Sequence, residues 1–400
     1  MSRSAWPDQP HHPLAESYKL GYLADAAYEQ DVVTALREAG GDPKPAEAAG
    51  KHGLLQIPLE SVPDEDKLLA YLRQYQPAAL GNYGRNRHCA IGALSADVAT
   101  TYYAQGPSDS DPKIWPHAVG CHTIRPCAAP ADEHRSCDDA GLGVVVGMLD
   151  TRISSHEYLT GGFVTSPGSI GSAPSDTRLS GASGHATFVA GLILQQAPAA
   201  TVHVKQVLTD EGVCDSVTLH DAIIDLAKHP IDILNLSLGC TTADNRPPFA
   251  LQRALRRFRA ERPQAVVVAA AGNHPTHRFW PAALPDVLAV TSAHRAKDGW
   301  RLGMGYPAEP WVDVAAPGID LTSTFLTGDY WRPSGRSVEE FRGWAVGSGT
   351  SFACAIVTGY LARNWAPGRR IADLLAAARS AGAPTIEAGD RLVLGVDHLL

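Results

Sequence analysis

From residue 143 onward the chain alternates short apolar runs with amphipathic stretches. The runs at 143–149 (GVVVGML), 202–207, 231–238, 265–271 and 287–291 carry little polar alternation. Strands covered on both faces by helices read this way, so the pattern predicts a parallel α/β sheet. Between the runs lie helical spacings at 186–196, 216–228, 248–260 and 351–365. No repeat of solenoid or propeller period interrupts them. Residues 114–400 therefore read as one doubly wound domain. The earlier part has a different texture. Helical spacing at 28–39 and 64–76 and a strand-like run at 52–59 (HGLLQIPL) predict a smaller α+β N-terminal extension. A turn-rich stretch at 107–113 (PSDSDPK) sets the expected boundary, dividing the chain into residues 1–113 and 114–400.

Composition narrows the partners. Lys and Arg number 34 against 42 Asp and Glu, a net charge of −8, which argues against a surface that works by neutralising phosphates, and so against nucleic acid. Apolar residues at 44% and charged residues at 19% suffice for a sizeable core. No 18-residue apolar stretch occurs, so no membrane-spanning helix is expected. Residues 1–18 are polar and lack the basic and apolar regions of a secretory signal, which predicts a cytoplasmic location; a secreted protein whose leader had been removed reads the same. Seven scattered cysteines do not make a secreted disulfide scaffold.

Four polar residues stand where strands or helices end. Asp150 closes VVVGMLD, His185 opens a small-residue helix in SGHATFVAG, Asn273 follows VVVAAAGN, and Ser351 starts a helix in SGTSFACAIVTG. In open parallel sheets, reactive groups gather at the carboxyl ends of strands. Alone, each reads as ordinary: a turn carboxylate, a structural histidine, a helix cap, a Gly-Asn turn. Together they are the residue types that nucleophilic acyl transfer requires. A serine hydroxyl needs an imidazole to take its proton, the imidazole needs a carboxylate to hold its tautomer, and the oxyanion needs donors. Asn273 and the backbone N–H of Ser351 are the candidate donors. Gly347, Ser348, Gly349 and Thr350 would allow close approach of a substrate backbone.

On these motifs, in this order, the chain from about residue 115 onward resembles the subtilisin-like serine proteases, or subtilases. ILNLSLG resembles that family's substrate-binding strand, VVAAAGN its oxyanion turn, and PDVLAVTSA and PWVDVAAPG look like further landmarks. The resemblance implies a subtilisin-like fold and a triad of Asp150, His185 and Ser351, with Asn273 in the oxyanion hole. It also implies a substrate cleft along Ser237, Leu238 and Gly239, flanked by Ala270, Ala271 and Gly272. The small residues of that wall leave room beside the scissile bond without identifying what fills it. Four positions depart from the family pattern: Arg152, Ala186, Phe188 and Ala355 stand where Gly, Gly, His and Pro are usual. They point to a divergent branch.

Other chemistries find less support. Cys121, His122, Cys127, His134 and Cys137 cluster, but at no standard zinc-ligand spacing, and a disulfide or plain thiols fit better. No phosphate loop or nucleophile elbow of the α/β hydrolases occurs. Subtilases often bind structural calcium, yet no D-x-[DN]-x-[DN]-G loop is found, and the expected chemistry needs no cofactor and no metal. The expectation is a serine endopeptidase acting on peptide or protein substrates, in particular a processing protease for a specific precursor. The alternative is a catalytically silent subtilase fold that only binds. Residues 1–113 are expected to be either propeptide-like or a permanent accessory domain.

Overall fold

The computed structural model describes residues 21–75 apart from 60 and 62, the short strands Tyr83–Arg85 and Tyr102–Tyr103, and residues 124–395 apart from 132–133, 172–177, 180–181, 211, 243–244, 274–277, 304–305, 332–337, 367, 369 and 387–390. The turn-rich stretch 107–113 lies outside the described residues. The chain divides into two compact units. The smaller comprises Met1–Thr101 with Asp215–Asp221 and Thr242–Arg253, and the larger holds the rest.

The small unit is an antiparallel sheet carrying two helices. Strands β1 (Gly21–Asp25), β2 (Glu47–Ala49), β3 (Leu54–Pro58) and β4 (Tyr83–Arg85) pair in the order β2-β3-β1-β4. Helices α1 (Glu29–Glu38) and α2 (Glu65–Tyr75) fall within the predicted 28–39 and 64–76. Successive residues of a strand face opposite ways. Tyr22, Ala24 and Ile57 accordingly pack with Val32, Leu36 and Leu68 of the helices. Leu23 and Leu54, on the opposite face, pack with Phe249 and Ala250. A buried polar cluster completes the unit. Arg253 donates from Nε to Asp25 at 2.6 Å, from Nη1 to His220 Nε2 at 2.6 Å, and from Nη2 to the Gly53 carbonyl at 3.2 Å. His220 in turn donates from Nδ1 to Asp221, whose other oxygen accepts the Lys51 N–H at 2.7 Å.

The large unit is built on a parallel sheet. Its strands include β5 (Ile124–Pro126), β6 (Val145–Asp150), β7 (Phe163–Thr165), β8 (Thr201–Gln206), β9 (Ile233–Leu236), β10 (Val266–Ala270), β11 (Leu288–Ala296) and β12 (Val314–Pro317). All but β5 run parallel in the order β7-β8-β6-β9-β10-β11-β12, with short antiparallel strands beyond β11. From β6 the chain passes first to β7 at the sheet edge and then through α3 (His185–Gln196) to β8, which lies between β7 and β6. The connections through α4 (Ser216–Ala227) and α5 (Phe249–Glu261) continue past β6 to β9 and β10. Because these strands are parallel, their carboxyl ends share one edge of the sheet. Asp150, Ser237 and Asn273 all stand at or just past strand ends along this edge.

Two helices are buried over almost their whole length, α3 and α6 (Thr350–Arg363). They pack on the face formed by Val146, Met148, Ile233, Val268 and Val290. Gly359 sets their separation, since a Cβ there would stand 2.6 Å from the Ile193 carbonyl oxygen. A later helix, α7 (Ile371–Ser380), and a long antiparallel hairpin, β13 (Leu321–Trp331) with β14 (Val338–Gly347), have no counterpart in the sequence pattern. The hairpin is hidden because β13 reads LTSTFLTGDYW, polar enough for a loop. In the fold, the hydroxyls of Ser323 and Thr324 are fully buried and donate to the Phe188 and Thr187 carbonyls of α3, at 2.8 and 2.7 Å. Among the described residues no helix is long and apolar enough to cross a membrane.

Candidate active site

The buried ends of β6, α3 and α6 bring Asp150, His185 and Ser351 to one edge of the sheet; the first two are 0% exposed and the third 5%. His185 heads α3 because Gly184 precedes it at φ +86, where a side chain would also meet the Phe325 ring at 2.6 Å. Its Nδ1 lies 2.8 and 2.9 Å from the two carboxylate oxygens of Asp150. Asp150 is steadied by the Thr151 N–H at 2.7 Å, and the Thr151 hydroxyl accepts the Ala186 N–H at 3.1 Å, tying the turn to the helix start. The Arg152 side chain, at the usual glycine position of this turn, is taken up by an ion pair with Asp210. His185 Nε2 is buried and has no hydrogen-bond partner. The imidazole lies over Phe352 with ring centres 5.7 Å apart, and Phe188 packs on the same ring at 4.3 Å.

The Ser351 hydroxyl donates to the Ser237 carbonyl at 3.0 Å rather than to His185. Beneath it runs a buried polar network that the sequence patterns did not single out. Ser237 Oγ lies 2.8 Å from the Ser351 carbonyl and 3.0 Å from Asn235 Oδ1. The Asn235 amide donates to the Thr358 hydroxyl at 2.8 Å and to Cys354 Sγ at 3.3 Å. Burial pushes the Cys354 thiol up to about 12. The network joins β9 to α6 and holds the helix that begins at Thr350 and Ser351 against the strand leading to residues 237–239.

Asn273 approaches from the next strand end. Its side-chain oxygen accepts both the Thr350 N–H at 3.0 Å and the Thr350 hydroxyl at 2.9 Å. The oxygen thus faces Thr350, and the amide Nδ2 is the side chain's donor end. The Ser351 N–H belongs to the first turn of α6, among the donors that no carbonyl of the helix can reach. The cleft residues are placed as follows: Ser237 and Leu238 are buried at the end of β9, Ala270 closes β10, and Gly239 and Gly272 face the Phe279 ring. The slot that the small residues leave in the sequence is thus filled from elsewhere in the chain.

Of the Cys/His cluster, Cys121 and His122 lie outside the described residues. Cys127 and Cys137 carry free thiols, the first half-buried and raised above its usual range by burial, the second exposed. Among the described residues no three His, Cys, Asp or Glu side chains are grouped to hold a metal ion.

Residues 141–374, more than half of the chain, match the Subtilase family, and the chain belongs to it. It is 32% identical over 169 residues to a thermophilic serine proteinase of Bacillus sp. (strain AK1), covering 38% of this chain and 39% of that protein. Over 210 residues it is 30% identical to thermitase of Thermoactinomyces vulgaris, covering 50% of this chain and 71% of that one. The crystal structure of fervidolysin from Fervidobacterium pennivorans superposes with a TM-score of 0.56 at 17% identity, over 96% of this chain and 61% of that chain. That likeness is one of fold, and the α/β sheet described above is subtilisin-like. The chain spans about two-fifths of the length of the thermophilic proteinase it matches.

Proposed function

We propose that this chain is a serine endopeptidase. The observation that carries the reading is the His185 ring, with Nδ1 against both oxygens of a buried carboxylate and Nε2 buried without a partner. The carboxylate selects the tautomer whose basic nitrogen is Nε2. Ser351 Oγ then attacks the scissile carbonyl carbon, its proton passes to His185 Nε2, and His185 returns that proton to the leaving amine. Water repeats the sequence on the acyl-enzyme. Asn273 Nδ2 and the Ser351 N–H receive the oxyanion. A substrate laid along residues 237–239 as an added strand donates its own N–H to the Ser237 carbonyl. That displaces the Ser351 hydroxyl, which turns to His185.

A fluorophosphonate probe tests this directly. It should label the wild-type protein at Ser351 and leave Ser351→Ala unlabelled, and Ser351→Ala should lose peptide hydrolysis with its fold intact. A wild-type protein that stays unlabelled is the silent binding module instead.

The substrate proposed is a specific protein or peptide precursor, and the departures at Arg152, Ala186, Phe188 and Ala355 support a dedicated rather than a degradative enzyme. Cleavage of a peptide encoded beside its gene, compared with casein, decides between the two. For residues 1–113 the propeptide and accessory roles predict different masses. Self-cleavage leaves Ser351→Ala at full length and the wild type trimmed near residues 107–113, whereas a permanent domain leaves both intact.

A further inference from the structure

The space beside Ser351 is bounded by two backbone segments that continue adjacent parallel strands. Residues 237–239 follow β9, and residues 271–273 follow β10. The first segment touches the nucleophile through the Ser237 carbonyl, and the second is linked to its neighbour Thr350 through Asn273. An acyl carbon bonded to Ser351 Oγ, with its oxygen turned to Asn273, carries its own Cα over the gap between the segments. The side chain on the acyl side of the scissile bond points into that gap.

Phe279 occupies it. The ring is only 5% exposed. A Cβ built on Gly272 would stand 2.7 Å from the ring carbon Cγ and 2.9 Å from Cδ2. One built on Gly239 would collide with Cε1 of the same ring and lie 2.6 Å from the Trp280 carbonyl oxygen. The two glycines thus grip one aromatic ring, one from each segment. Gly272 is needed twice over, for the ring and for its φ of +87. The ring is held in place by backbone pairing of the next residue: Trp280 donates to the Cys240 carbonyl at 2.8 Å, and Cys240 donates to the Trp280 carbonyl at 2.9 Å. Trp280 is itself 2% exposed, so the segment is anchored in the core.

From this packing we infer that Phe279 is a specificity-determining residue that limits the substrate side chain on the acyl side of the scissile bond to glycine, alanine or serine. The inference rests on the endopeptidase reading and narrows it to a substrate class. A larger side chain has to evict a buried ring that is packed against two backbones, beside a segment fixed by the Trp280–Cys240 pairing.

The test is digestion of a proteome-derived peptide library by the full-length wild type, Phe279→Ala and Phe279→Leu, with fluorophosphonate labelling and melting temperature measured alongside. Wild type should cut after Gly, Ala or Ser at least roughly 10²-fold more efficiently than after Leu, Phe or Tyr, as expected where a site excludes the larger group. Phe279→Ala should accept Leu and Phe within about tenfold of Ala, and Phe279→Leu should fall between; should Phe279→Ala not fold, the shift in Phe279→Leu carries the comparison. Wild type cutting after Phe or Leu as readily as after Ala overturns the inference while leaving the endopeptidase reading standing. So does a folded, labelled Phe279→Ala with unchanged preference, or labelling of wild type with no cleavage anywhere in the library. Absence of both labelling and cleavage overturns the endopeptidase reading, and this inference with it.

Discussion

His185 presents Nδ1 to both carboxylate oxygens of Asp150, at 2.8 and 2.9 Å, with neither residue exposed to solvent. A carboxylate buried this deeply is costly unless its acceptor capacity is used. Here the imidazole and the Thr151 N–H use it. The same contacts fix which ring nitrogen can act as a base.

Asp150→Asn keeps the shape and removes the charge. The amide can present its N–H to Nδ1, which selects the opposite tautomer and leaves Nε2 protonated. Turnover should fall by about 10⁴-fold, with a far smaller change in KM. Steady-state kinetics on one peptide substrate check this, and a turnover within tenfold of wild type contradicts the assigned role.

Asn273→Ala should lower kcat by about 10²–10³-fold and leave KM nearly unchanged, because the amide acts on charge that develops only in the transition state. Thr350→Val removes one of the two donors that hold the Asn273 oxygen while the Thr350 N–H remains. Its loss of kcat should therefore be smaller than that of Asn273→Ala. A double-mutant cycle of the two should be non-additive, since Thr350 acts on Asn273 through a shared hydrogen bond.

Cys354 lies one helical turn beyond Ser351, yet it is fully buried and its thiol is pushed up to about 12, chiefly by burial. The thiolate is the reactive form, so this side chain should be inert near neutral pH. Iodoacetamide should modify the exposed Cys137 and spare Cys354 in the folded protein, as read by peptide mass mapping, and activity should survive.

His220 gives the small unit a pH dependence of its own. Burial lowers its pKa from 6.5 to about 4; Arg253 and His52 add to the lowering, and Asp221 opposes it. The folded unit keeps His220 neutral, accepting from Arg253 at Nε2. Above about 6.5 neither the folded nor the unfolded chain binds a proton there, and stability is full. As pH falls from 6.5 toward 4 the unfolded chain gains a proton that the folded one refuses, so stability is lost, by up to about 3 kcal/mol. Protection factors of amides in residues 21–75, taken relative to the intrinsic exchange rate at each pH, should fall over that window, and His220→Gln should flatten the trend.

The apolar runs and helical spacings determine the parallel sheet and helices α3 to α6, because burial on both faces of a strand and on one or all sides of a helix leaves a local signature. Chain order likewise exposes Asp150, His185, Asn273 and Ser351, each of them next to the end of a predicted strand or helix. Where a polar group is satisfied by a distant partner, that legibility ends. Ser323 and Thr324 look like loop residues until α3 supplies carbonyls more than 130 positions away. Asn273 is a turn residue until Thr350, 77 positions on, turns its amide. The run Ala270–Ala271–Gly272 reads as open space from its composition, and no sequence pattern singles out Phe279. Only the pairing of Trp280 with Cys240 brings that ring between Gly239 and Gly272. Short-range pattern records which residues are buried, whereas the shape of a cleft depends on which buried residue meets which, and that is decided by contacts between segments far apart in the chain.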